Sequence, residues 1–70
     1  MQMEFHERLK ELRKEKGLTQ RQVAQAIGIV ERNYQKFEYG ENKPSYSALL
    51  ALADFFEVSL DDLTCRNYNA

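Results

Sequence analysis

Residues 31–36 read ERNYQK, and they gather a carboxylate, a guanidinium, two carboxamides and an ammonium in a stretch of six. On a helix that is less than two turns. Tyr34 and Phe37 fall at i and i+3, so they define an inward stripe and send Glu31, Arg32, Asn33, Gln35 and Lys36 to the other sides. Such a face offers donors and acceptors of several kinds in a small area. Its chemistry is recognition by hydrogen bonds and charge. Catalysis has no counterpart in the sequence. The chain has one histidine, His6, and one cysteine, Cys65. There is no His/Cys/Asp cluster at ligand spacing, no phosphate-cradling glycine loop, and no nucleophile with a base close by in sequence. The expectation is a binding protein that is not an enzyme, with no metal, no cofactor and no small-molecule ligand.

Charge supports a local face more than a global one. The net charge is −1, yet residues 8–43 carry nine Lys/Arg against five Asp/Glu, while residues 44–70 carry one against four. A basic middle between acidic flanks is compatible with a face for phosphates, and equally with solvated helices of alternating charge.

The elements that must position this face are short helices. Seventy residues allow a single small domain, with an ordered core over residues 4–64 and a polar tail over 65–70. A chain of that size buries only roughly 60% of its unfolded surface, and a single cysteine allows no internal disulfide to help. A lone thiol leans towards a reducing cytoplasm. No apolar run approaches the ~20 residues needed to span a bilayer, and the N-terminus lacks the apolar core of a secretory leader. Cytoplasmic localisation is expected.

Phe5, Leu9 and Leu12 predict a first helix over Glu4–Lys16, stopped by Gly17. Thr19 and Gln22 form a T-x-x-Q capping box for a second, with Val23, Ala24 and Ile27 as its buried stripe and Gly28 as its stop. The third runs from Glu31 to Tyr39 and ends at Gly40. A loop with Pro44 follows. Ser45 caps a fourth helix to Phe56, and Ser59 caps a short fifth, with Asp61 and Asp62 in its first turn, where the helix dipole favours acids. The expected core is Leu9, Leu12, Leu18, Val23, Ala24, Ile27, Ile29, Tyr34, Phe37, Leu49, Leu52, Ala53, Phe56, Val58 and Leu63.

The break at Gly28 asks for a reason, because short helices are marginal alone and one longer helix forms more easily. A break sets an angle. Two helices that cross over a tight turn bring their backbones close together. A small residue in the first, Ala24, permits the approach. Gly28 permits the left-handed turn conformation, and Ile29 plugs the inside of the turn.

This arrangement resembles the helix-turn-helix of the Cro and phage-repressor-like family, often called the Xre family. The resemblance rests on RLKELRKEKGLTQRQVAQAIG, then FEYG, the loop NKPS, and LLALADFFEVSLDDL, and it covers Arg8 to Leu63. It implies an all-α, five-helix, lambda-repressor-like DNA-binding domain. The implied function is sequence-specific binding of double-stranded DNA by a transcriptional regulator, a repressor, reading the major groove with helix 31–39. Carried over by position, Glu31, Arg32, Gln35 and Lys36 contact bases: the two cations suit guanine, Gln35 adenine and Glu31 the cytosine amine. Gln20, Asn33, Asn42, Lys43 and Arg13 contact phosphates. Arg13 and Glu38 pair as a brace. Three residues depart from the pattern. Val30 stands where a capping Ser or Thr is usual, Tyr34 replaces Ile or Val, and Tyr39 replaces Asn. One module gives limited specificity against a genome, so a homodimer on a palindromic operator is expected, through Phe55, Leu60 and Tyr68 of the last two helices and the tail. The same scaffold also serves antitoxins and adaptors that bind protein instead.

Overall fold

The computed structural model describes residues 3–65. Its five helices are α1 (Phe5–Glu15), α2 (Gln20–Ile27), α3 (Glu31–Glu38), α4 (Tyr46–Phe56) and α5 (Leu60–Thr64). The first starts and stops one residue inside the expected span. Its start is fixed by a reciprocal pair that the sequence reading missed: Glu4 and Glu7 cap each other, with the Glu4 amide donating to Glu7 Oε1 at 2.9 Å. The T-x-x-Q box of α2 forms as expected, Gln22 N to Thr19 Oγ1 at 3.0 Å and Thr19 N to Gln22 Oε1 at 2.8 Å. Ser45 and Ser59 cap α4 and α5 by accepting from Ala48 N and Asp62 N.

The turn after α2 has the form that its composition requires. Gly28 lies at φ +78°, and the amides of Gly28 and Ile29 bond back to Gln25 O and Ala24 O. This pairing satisfies carbonyls that the helix end would otherwise orphan. A side chain at Gly28 would meet nothing within 4 Å, so glycine is needed here for its backbone freedom and not for space. Ala24 is 1% exposed, as a small residue at a helix crossing should be.

Among the described residues, ten apolar side chains form the buried core, contributed by all five helices: Leu9, Leu12, Val23, Ala24, Tyr34, Phe37, Leu52, Ala53, Phe56 and Leu63. Leu18, Ile27, Ile29, Leu49 and Val58, expected fully inside, pack against it while keeping some exposure. Phe55 and Leu60 are the residues expected at a dimer interface. Both are half-buried against the core, and the Phe55 ring meets Phe56 edge-on at 5.0 Å. The open apolar residues of α4 are Tyr46 and Leu50, one helical turn apart, at 68% and 40% exposure. Tyr68 lies outside the described residues. Arg8 ties α1 to α5, its Nε and Nη2 donating to the two carboxylate oxygens of Asp62 at 3.1 and 3.0 Å, and it also pairs with Glu11. Asp62 thus serves a tertiary clasp as well as the dipole role read from sequence. No helix among the described residues is long and apolar enough to cross a membrane.

Candidate nucleic-acid interface

Helix α3 begins without a side-chain cap, because Val30 has no oxygen to offer. The amides of Asn33 and Tyr34 instead reach Val30 O at 3.0 and 3.1 Å, and Glu31 puts a carboxylate in the first turn, where the dipole favours it. Packing compensates for the missing cap. Tyr34 and Phe37 are buried with their rings edge-to-face, and Glu38 is buried beside them.

Glu38 is the anchor of the site. Its side chain is fully buried, and a buried charge is stable only when paired and hydrogen-bonded. Arg13 grips it with a fork, Nε to Oε2 at 2.6 Å and Nη2 to Oε1 at 3.0 Å, while Nη1 donates to Leu18 O at 2.9 Å. The Tyr34 hydroxyl donates to Oε2, and Gln20 Nε2 donates to Oε1 at 3.1 Å. Each carboxylate oxygen therefore holds two donors, which matches its two lone pairs. Burial pushes the Glu38 carboxyl up, but the bonds from Arg13, Tyr34 and Gln20 outweigh it, and the group settles below the usual carboxylate range. Burial, and then the bond to Glu38, pushes the Tyr34 hydroxyl upward. Among the described residues, no buried side-chain polar atom lacks a partner.

Arg13 is thus turned inward: its side chain is 12% exposed, and the fork faces Glu38. Gln20 is also drawn into the protein, because Gln35 Nε2 donates to its Oε1 at 3.2 Å. The Arg13–Glu38 pair is the brace expected from the sequence, while Gln20, expected at a phosphate, engages Glu38 and Gln35 with the two ends of its amide. Arg32 and Asn33 are exposed, and Glu31, Gln35 and Lys36 are half-buried. The loop after α3 is tied to the same helix: the amides of Glu41 and Asn42 bond back to Lys36 O at 2.9 and 3.3 Å, and Asn42 and Lys43 stand exposed beyond it. Gly40, at φ +76°, lies against His6, whose Nδ1 would sit 3.2 Å from an added β-carbon. Tyr39 is 56% exposed beside this loop.

The outcome is one surface made of α3 and the loop that follows it, braced from behind by α1 and α2. The Tyr34–Glu38 bond was missed, though an i, i+4 pair of hydroxyl and carboxylate on a helix is a legible signal. The bond from Gln20 to Gln35 left no local trace, since fifteen residues separate the two.

Two short helices crossing at a glycine turn, the second with its polar face outward, define a helix-turn-helix module. The chain belongs to the helix-turn-helix family of Cro and phage-repressor-like regulators, with the Helix-turn-helix family model matching residues 9–63. It is 41% identical over 59 residues to the uncharacterized HTH-type transcriptional regulator YqaE of Bacillus subtilis, covering 84% of this chain and 51% of that one. It is 42% identical over 64 residues to the cryptic phage CTXphi transcriptional repressor RstR of Vibrio cholerae, covering 91% and 57%. The chain therefore spans little more than half the length of these two relatives. Among solved structures, a transcriptional regulator from Listeria innocua superposes with a TM-score of 0.88 at 33% identity, over 100% of this chain and 65% of that one. The P22 c2 repressor, solved in complex with a synthetic operator, superposes with a TM-score of 0.87 at 25% identity, over 93% and 98%. The fold is that of these all-α repressor domains.

Proposed function

We propose that this chain is a sequence-specific, double-stranded DNA-binding module of a transcriptional regulator, acting as a repressor. The observation that carries the reading is the buried Glu38 anchor, which fixes α3 so that Arg32, Asn33 and Lys36 face outward beside Asn42 and Lys43. An α-helix fits the major groove, where each base pair shows its own pattern of donors and acceptors. Arg32 and Lys36 carry the donors for guanine, Glu31 an acceptor for the cytosine amine, and Asn33, Asn42 and Lys43 the phosphate contacts. The operator complex of the P22 c2 repressor and the repressor relative RstR support the same role.

A second copy completes the module on a palindromic site, since one helix contacts too few base pairs to select an operator. The dimer surface belongs to α4 and α5, where Tyr46 and Leu50 are exposed and Phe55 and Leu60 are half-buried. Sedimentation at high micromolar concentration should give twice the chain mass, and a monomer there would remove the dimer from the proposal.

The test of DNA binding is selection of duplexes from a random pool, followed by a salt titration of the selected sequence. Phosphate neutralisation lowers log affinity by about 0.9 per log unit of salt for each phosphate. Absence of binding to any duplex at low salt would refute the proposal and favour a protein-binding adaptor or antitoxin, whose basic partner would meet the acidic residues 44–70.

A further inference from the structure

Two carboxylates, Glu38 and Glu31, determine which way the glutamines between them point. A carboxylate only accepts, so the Gln20 atom facing Glu38 Oε1 at 3.1 Å is its amide nitrogen. That choice turns Gln20 Oε1 towards Gln35, and an oxygen there takes the Gln35 nitrogen, at 3.2 Å. The same nitrogen faces Glu31 Oε2 at 3.4 Å. A primary amide has two hydrogens, and these two acceptors account for both. Only Gln35 Oε1 is left for a ligand.

Resting on the reading of α3 as the groove-facing helix, we propose that Gln20 is a positioning residue and that it makes Gln35 an acceptor-only reader of DNA. Adenine read by a glutamine through both N6 and N7 needs the NH2 group as well as the oxygen. With its NH2 group held by Gln20 and Glu31, Gln35 instead accepts from an exocyclic amine, adenine N6 or cytosine N4. The recognition surface is then divided along α3. Arg32 and Lys36 form a donor stripe, and Glu31 and Gln35 form an acceptor stripe on the flank nearest α2. The sequence alone assigned Gln35 to adenine and Gln20 to a phosphate; the polarity set by Glu38 revises both.

The experiment compares wild type with Gln20→Leu, which removes the acceptor and frees one Gln35 hydrogen while Arg13 and Tyr34 still hold Glu38. In duplex selection, wild type should accept adenine and cytosine at one position. Gln20→Leu should narrow that position to adenine, by on the order of tenfold, and leave the others unchanged. Equal weakening on all sequences with an unchanged base preference would make Gln20 a phosphate contact and overturn the proposal. An unchanged profile would overturn it too. A second readout needs no DNA. By NMR on the free chain, the Gln35 carboxamide protons should exchange with water more slowly than those of exposed Gln25, and one of the two should lose that protection in Gln20→Leu. Equal exchange in wild type would refute the geometry. Protected Gln35 protons in a chain that enriches no duplex would sink the DNA-reading proposal itself, and the base preference with it.

Discussion

Replacing Tyr34 by Phe removes one oxygen from the buried heart of the molecule and nothing else. Tyr34 is 0% exposed, and its hydroxyl donates to Glu38 Oε2. The ring stays, so no cavity beyond the hydroxyl itself opens. The carboxylate keeps both Arg13 bonds and the Gln20 bond, so it is not abandoned in the interior. What is lost is one hydrogen bond to a charged group, about 1.5–3 kcal/mol. For a domain of this size each kcal/mol moves the midpoint by roughly 4–8 °C. Tyr34→Phe should therefore melt on the order of 10 °C lower, with the slope of its urea transition unchanged. Tyr39→Phe is the matched control: its ring is 56% exposed, and its midpoint should not move measurably. Circular dichroism melts and urea titrations decide the matter. If Tyr34→Phe were as stable as wild type, the four-donor description of Glu38 would be wrong, and the anchor of α3 would have to lie elsewhere.

Acid should loosen the same anchor. Because the folded Glu38 carboxyl lies below its ordinary value, its contribution is complete above the unfolded pKa of about 4.3 and is lost as pH falls through the lower folded value. Thermal midpoints should fall below about pH 4, and the gap between wild type and Glu38→Gln, wide at pH 7, should narrow there; a constant gap would contradict the shift. Gly28→Ala should cost roughly 1–2 kcal/mol, from backbone strain at positive φ alone, since the added carbon meets nothing within 4 Å; an unchanged urea midpoint would show that the turn does not need glycine. Arg32→Ala should cost about 1–3 kcal/mol of DNA affinity and relax one base pair, whereas Lys43→Ala should weaken all duplexes alike and reduce the salt slope by about one; a changed base preference in Lys43→Ala would reverse the sorting of these contacts.

The number of helices, most of their ends and the place of the sharp turn were legible in the sequence, for a local reason. Thr19, Gln22, Ser45 and Ser59 act on amides three residues away, and Gly28 acts on its own backbone, so caps and breaks are readable without tertiary knowledge. The apolar periodicity likewise marked the core, because a 3.6-residue repeat is a property of each helix alone. What the sequence could not specify was where long polar side chains would end. The Arg13–Glu38 brace was expected and forms, but Gln20, which carries the composition of a phosphate contact, is drawn to the same carboxylate. Phe55 lies off the helical stripe, yet packs edge-on to Phe56. Arg8 and Asp62, 54 residues apart, clasp across two helices. These outcomes depend on which groups the packed helices bring within hydrogen-bond reach, and on the cost of burying Glu38 without donors. Local propensity fixed the pieces and their breaks; the polarity of the exposed face was decided only when one buried carboxylate had to be satisfied by residues from three helices.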